Sequence, residues 1–379
     1  MRHTILLSSL LGTLALAQQA PDWENQAVFR INKEEPRSVS MPFPDAADAL
    51  TKERLDSPWC MMLNGEWKFH WVDHPEKRPL DFHKTDFDDS AWKTIPVPSN
   101  VEIQGYGTPI YSNSTYPFHK DPPRVMGEPP AHFTAFHERN PVSSYRRSFS
   151  VPENWKGRHT FITFNGVASA FYLWVNGEKV GYSEDSRTPA EFDITRFLKP
   201  GENTLAVEVY RHSDGSYLEC QDFWRLSGIF RDVYLHSSAP LQLRDFLARG
   251  GLNDDYSRGT LDLRVHLRDL AGGKAAEGAS VDARLTTMDG KEIVTTTLKA
   301  GADGRADTLL TDLNILPWSA ESPTLYQLQL TPRDKAGKAT DYYACRIGRH
   351  SSRWLCRPDR KSTRLNSSHL TQSRMPSSA

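Results

Sequence analysis

Short runs of alternating apolar residues, cut by Asn-Gly, Pro-Gly and Asp-Gly pairs, recur along most of this chain. That pattern leaves little choice but β-structure, because strand side chains alternate faces with a period of two. Gly65 to Val72 sets Trp67, Phe69 and Trp71 on one face, and Thr94 to Val97 follows as a short strand. Ser144 to Val151 alternates, and Thr160 to Phe164 ends at Asn165-Gly166, a hairpin-type turn. Ala170 to Val175 is apolar, Asn176-Gly177 is a second such turn, and Lys179 to Tyr182 returns. Beyond Pro200-Gly201, Asn203 to Tyr210 alternates on Leu205, Val207 and Val209. Short strands at this spacing predict an antiparallel sandwich or jelly roll over residues 51–238. A second β-region begins near Leu241. Leu261, Leu263, Val265 and Leu267 share one face there, and Asp289-Gly290 separates two further strands. It predicts an immunoglobulin-like sandwich of the fibronectin variety over residues 239–348. The whole is therefore all-β. Residues 18–50 lack periodicity and hold Pro36, Pro42 and Pro44, which predicts an extended arm.

The start of the chain has the layout of an export signal. Arg2 and His3 precede an apolar stretch from Thr4 to Leu14, and Ala15-Leu16-Ala17 forms an A-x-A cleavage site. The stretch is too short to span a bilayer. Residues 1–17 are thus expected to be a signal peptide, with the mature protein periplasmic or extracellular and no membrane partner. The four cysteines are widely spaced, which gives no support to a zinc or redox motif. Cys60 and Cys220 are expected to be small buried hydrophobes.

Charge excludes one class of function. Seven Lys/Arg against one acid fall in residues 349–379, so the first 348 residues hold 39 basic and 46 acidic groups, a net of −7. An acidic body argues against capture of nucleic acid by bulk electrostatics. Motifs for phosphate loops, the G-x-S-x-G elbow and the H-E-x-x-H helix are absent. Two polar clusters remain. One runs from Pro98-Ser99-Asn100 through Tyr111-Ser112-Asn113-Ser114-Thr115-Tyr116-Pro117. The other is Ser213-Asp214-Gly215-Ser216-Tyr217-Leu218-Glu219-Cys220-Gln221-Asp222-Phe223-Trp224-Arg225. Sugars want hydrogen-bonding side chains for their hydroxyls and aromatic faces for their C–H surfaces, and both clusters offer them. Composition alone favours the plainer reading of turn chemistry and a local ion pair, for example Asp222 with Arg225. The Pro-rich stretch from Tyr116 to Pro141 is either a functional loop or a solvated one.

The order of these segments resembles the N-terminal part of the β-galactosidases of glycoside hydrolase family 2. The resemblance runs from Glu35-Pro36-Arg37-Ser38 through Leu63-Asn64-Gly65-Glu66-Trp67 and Gly105-Tyr106-Gly107-Thr108-Pro109-Ile110-Tyr111. Its most specific run is Ser213 to Glu219, then Gln221-Asp222-Phe223-Trp224-Arg225, then Ser227-Gly228-Ile229-Phe230-Arg231-Asp232-Val233. It ends near Trp318 to Tyr326, and in all covers about residues 23–348. The resemblance implies a jelly-roll sugar-binding domain, then an immunoglobulin-like domain, then a catalytic TIM barrel that this chain lacks. It implies retaining hydrolysis of a terminal β-galactoside by two glutamates of that barrel, so no catalytic residue is expected in this chain. Asn113 matches an asparagine lining the galactose pocket. Asp222 matches an aspartate that binds sodium and the region of the sugar 6-hydroxyl. Sodium and magnesium are the implied ions, with Asp222 the one sodium ligand supplied here. The implied partners are a β-galactoside, the missing barrel and, for the full-length enzyme, a homo-oligomer. Asn113-Ser114-Thr115 also fits an N-glycosylation pattern, an incidental match if Asn113 lines a pocket.

After Gly348 the family pattern stops. Asp359-Arg360-Lys361-Ser362-Thr363-Arg364-Leu365-Asn366-Ser367-Ser368-His369 and Ser373-Arg374-Met375-Pro376-Ser377-Ser378-Ala379 resemble, in order, two constant parts of a translated sequencing adapter. The alternative is a natural basic, Ser-rich disordered tail. Three functions follow for the chain: the front of a secreted β-galactosidase truncated before its barrel, a free-standing lectin, or a non-catalytic subunit that complements a separate barrel.

Overall fold

The computed structural model describes residues 20–348, apart from residues 114, 130, 133–136, 256 and 273–275. The predicted signal peptide and the adapter-like tail expected after Gly348 lie outside the described residues. Between those limits the architecture is nearly all-β, in two sandwiches, with no barrel among the described residues.

The first sandwich faces a seven-stranded sheet against a four-stranded one. The larger runs Arg30–Ile31, Glu178–Glu184, Ala170–Val175, Glu202–Tyr210, Val142–Ser150, Gly65–Val72 and Lys93–Val97. The smaller runs Ala190–Asp193, His159–Phe164, Val233–Ser238 and Cys60–Met62. Every pairing is antiparallel. The alternation read from the sequence decides what fills the space between. Trp67, Phe69, Leu205, Val207 and Val209 from one sheet meet Ile162, Phe164 and Leu235 from the other in one buried cluster. Trp71, expected beside Trp67 and Phe69, packs at the margin of that core. Asn176 and Gly177 sit at φ 53° and 86° and close the hairpin between Ala170–Val175 and Glu178–Glu184.

Asn165-Gly166 is not a hairpin turn. His159–Phe164 pairs with Ala190–Asp193 and Val233–Ser238, whereas Ala170–Val175 belongs to the opposite sheet. The chain crosses between sheets here, and neither residue has the positive φ that a two-residue hairpin demands. The arm is also more structured than an extended segment. Arg30–Ile31 adds an edge strand to the larger sheet, and Ala46–Thr51 is helical, its N-terminus capped by the Asp45 carboxylate.

The outer face of the larger sheet is covered rather than solvated. Trp23 of the arm stacks on Tyr210 at 5.1 Å between ring centroids. Phe118 and Val125, from the Pro-rich stretch, are buried with them. That stretch is pinned by the Glu24 carboxylate, which accepts from the backbone N–H of Val125 and of Met126. The part of it around Phe118 to Met126 is an anchored cover.

The second sandwich sets Leu241–Leu252, Gly259–Asp269 and Arg305–Leu313 against Glu292–Lys299, Ser280–Thr287, Leu325–Arg333 and Tyr343–Gly348. Leu261, Leu263, Val265 and Leu267 point inward as their alternation requires. Among the described residues no helix is long and apolar enough to cross a membrane.

Candidate functional site

A small two-stranded ribbon stands apart from the sandwich sheets. Ile110–Ser112 pairs with Phe223–Arg225, joining segments 111 residues apart. Alternation gives the ribbon two faces. Tyr111 and Trp224, directly paired, are both 56% exposed, and their rings lie 5.7 Å apart at 56°. Ile110, Ser112 and Arg225 are buried on the other side. Arg225 Nη2 donates to the Ser112 carbonyl at 2.8 Å, holding the two strands together.

The ribbon brings the two sequence-predicted residues to one end. Ser112 pairs with Phe223, and Asn113 and Asp222 are their chain neighbours at that end of the ribbon. Both are exposed. The Tyr111 hydroxyl donates to Asp222 Oδ1 at 2.7 Å. That bond raises the Tyr111 phenol above its ordinary value, so it remains a protonated donor at neutral pH. The suspected ion pair of Asp222 with Arg225 does not form: Asp222 turns outward to Tyr111 while Arg225 turns inward to Ser112. Sequence reading had Tyr111 and Trp224 inside the right motifs without assigning either a place in the site. The signal that joins them is a long-range strand pairing that local patterns do not carry.

Behind the ribbon, the short helix Ser216–Glu219 fixes the approach to Asp222. Glu219 grips the opposite segment, accepting from Ser186 N–H at 2.7 Å and Ser186 Oγ at 2.6 Å. The Tyr217 hydroxyl donates to the Arg124 carbonyl at 2.6 Å and accepts from Asp121 N–H. Beneath the helix, Tyr182 donates to buried Glu184 at 2.5 Å, and Asp214 lies beside it. Burial pushes the Glu184 carboxyl up to about 8, and nearby Asp214 adds to the shift. Cys60 and Cys220 are half-buried free thiols rather than fully buried ones. Burial pushes Cys60 up to about 12 and raises Cys220 in the same direction, so neither is a ready nucleophile.

The exposed surface thus offers two aromatic faces, a carboxylate and an amide on a two-stranded ribbon. It can stack a C–H face and accept or donate hydrogen bonds to hydroxyls. Among the described residues no group of three or more His, Cys, Asp and Glu is gathered to hold a metal ion.

Two family models match the chain. "Glycosyl hydrolases family 2, sugar binding domain" covers residues 60–239, and "Glycosyl hydrolases family 2" covers residues 241–349. The ribbon, Asn113 and Asp222 fall inside the first. The chain belongs to glycoside hydrolase family 2. It is 40% identical over 339 residues to a beta-galactosidase of Priestia megaterium, covering 88% of this chain and 32% of that protein. It is 38% identical over 327 residues to a beta-galactosidase of Halalkalibacterium halodurans, covering 85% of this chain and 30% of that protein. The chain therefore spans about a third of the length of these curated relatives. Among solved structures it is similar to a Bifidobacterium dentium beta-glucuronidase, with a TM-score of 0.58 and 18% identity, over 76% of this chain and 48% of that one. A Bacteroides uniformis beta-glucuronidase gives 0.57 and 21%, over 76% of this chain and 32% of that one. At such identities the likeness speaks for the fold alone.

Proposed function

We propose that this chain is the sugar-binding front of an exported β-galactosidase, and that the ribbon carrying Asn113 and Asp222 forms one wall of its substrate pocket. The observation that carries this reading is the outward-facing set of Tyr111, Trp224, Asp222 and Asn113, within a chain 38–40% identical to beta-galactosidases. Hydrolysis with retention needs two carboxyl groups about 5–5.5 Å apart across the glycosidic bond. On this reading they come from a barrel outside the chain, and the ribbon's task is to orient the non-reducing sugar.

Asp222 suits a sodium ion as a single ligand. Its carboxylate is a hard oxygen donor, and only Oδ1 is engaged by the described residues. The other ligands, and all of those for magnesium, would come from beyond this chain. Bound sodium would supply a fixed positive charge to which a sugar hydroxyl oxygen can turn. Tyr111 holds the Asp222 carboxylate in place for that role.

The test is to recover the gene beyond the codon for Gly348 and express the continuous product. That product should hydrolyse a chromogenic β-galactoside, and the 379-residue chain should not. Turnover by the short chain clearly above a mock purification would overturn the reading, as would an inactive long product.

A further inference from the structure

Arg225 is 7% exposed, yet its Nε and Nη1 are buried and hydrogen-bond to no group of the described residues. Its remaining nitrogen, Nη2, is spent on the carbonyl and hydroxyl of Ser112. Arg211, which lines the same cleft, provides the contrast. Glu138 lies 2.8 Å from its Nη1 and Glu102 3.4 Å from its Nε, so its charge is met by two carboxylates. Arg225 enters no such pair. The nearby acids are otherwise engaged: Asp222 faces out to Tyr111, and both oxygens of Glu219 are held by Ser186. Cys220 also lines the cleft, and its thiol is a side-chain partner within reach of the Arg225 guanidinium; burial keeps that thiol protonated, so it is a weak, neutral partner and contributes no negative charge. Phe223 lies against both cations, with its ring centre 4.8 Å from Arg225 and 5.1 Å from Arg187 at the rim, but an aromatic face supplies neither a hydrogen-bond acceptor in the guanidinium plane nor a full counter-charge.

A buried guanidinium with free N–H groups and no counter-charge is costly unless something anionic reaches it. The cleft around it is small and also lined by Ser169, Ser186 and Ser216. We propose that this cleft, behind the Tyr111–Trp224 ribbon, is a binding site for a small monovalent anion of chloride or formate size. The anion takes the N–H groups of Arg225 that the protein leaves open, and so stiffens the ribbon from its buried side. The inference concerns stability and stands independently of the glycosidase reading.

The test is thermal unfolding of the full chain at constant ionic strength, with sodium isethionate replaced stepwise by sodium chloride or sodium formate. Isethionate is a bulkier anion. We expect a saturable rise in Tm of about 4 °C, as binding to the native state alone requires. Cys220→Asp places an internal carboxylate beside Arg225. It should raise Tm in isethionate and abolish the chloride-dependent rise, while Cys220→Ser should keep the rise. In crystals soaked with sodium bromide, an anomalous peak should lie against Arg225. The proposal is overturned by an unsaturable or absent rise in the parent chain, by an undiminished rise in a folded Cys220→Asp, or by bromide binding elsewhere only.

Discussion

Asp222 and Glu184 are both carboxyl groups near the ribbon, and their surroundings set them to different tasks. Asp222 is exposed and held by one neutral hydroxyl, so its removal touches little of the fold. In the continuous enzyme, Asp222→Asn keeps the shape and removes the charge. We expect kcat/KM to fall by about 2–4 kcal/mol with a weakened sodium response, by analogy with other charge-assisted contacts. Because no ion pair with Arg225 is lost, stability to unfolding should stay within about 0.5 kcal/mol of the parent, as for other exposed substitutions. An unchanged sodium dependence of kcat/KM would remove Asp222 from the site. Glu184 behaves in the opposite way. Its folded value of about 8 lies above the ordinary 4.5, with burial the largest cause. Between those two pH values the folded chain binds more protons than the unfolded one, so stability is full below about 4.5 and falls as pH rises towards 8. Glu184→Gln, permanently neutral, should flatten that fall and be more stable at pH 9 by roughly 3 kcal/mol. Urea unfolding at pH 5, 7 and 9 measures it, and parallel pH profiles for the two proteins would refute it.

Elements are where the sequence was most readable and also where it failed. The inward faces of Gly65–Val72, Glu202–Tyr210 and Gly259–Asp269 follow alternation because one-sided burial enforces a period of two. The Asn176-Gly177 hairpin is legible because only residues tolerant of positive φ can make so tight a reversal. Asn165-Gly166 carries the same letters without that geometry, since its fate is decided by which sheet the next strand joins. The arm's strand Arg30–Ile31 was invisible for a related reason: two residues have no periodicity, and their partner lies about 150 positions away. Gly181 records that contact. A Cβ there would meet the Ile31 carbonyl oxygen at 2.3 Å and Phe192 Cε1 at 2.7 Å, both fixed by packing. Gly181→Ala should therefore release the arm strand and cost about 1–3 kcal/mol, as overpacking does elsewhere. Limited proteolysis near Arg30 should speed up in the variant, and an unchanged cleavage rate together with an unchanged Tm would count against the contact. The ribbon shows the same divide: its motifs were legible, but the pairing that gives them a common face was not.

At the scale of the whole molecule, one buried carboxylate ties three parts of the chain together. Glu191, on the smaller sheet of the first sandwich, accepts from Arg37 of the arm at 2.7 and 3.0 Å, and from Arg244 of the second sandwich at 2.9 Å. Arg244 continues to Glu34, which also meets Arg268 at 2.8 Å. A second link, Arg158 to Asp341 at 2.8 Å, joins the sandwiches nearby. Burial alone would raise Glu191, but the facing Arg37, His236 and Arg244 outweigh it and hold the carboxyl far below its ordinary range. His236 is pushed down to about 3, with burial the main cause. Two pH limbs follow. The unfolded chain protonates His236 near 6.5 while the folded chain resists, so stability declines gradually as pH drops below about 6.5. Glu191 adds its own loss only below about 4.5, where the unfolded carboxylate takes up protons and the folded one does not. Glu191→Gln leaves Arg37 and Arg244 buried without their shared counter-charge, which should cost about 3–5 kcal/mol at pH 7. It should also remove the steep acid limb and spare the shallow one. Urea unfolding from pH 3.5 to pH 7 separates these effects. A Glu191→Gln chain with parental stability at pH 7, or with the steep limb intact, would show that the arm and the two sandwiches are held by apolar packing rather than by this carboxylate.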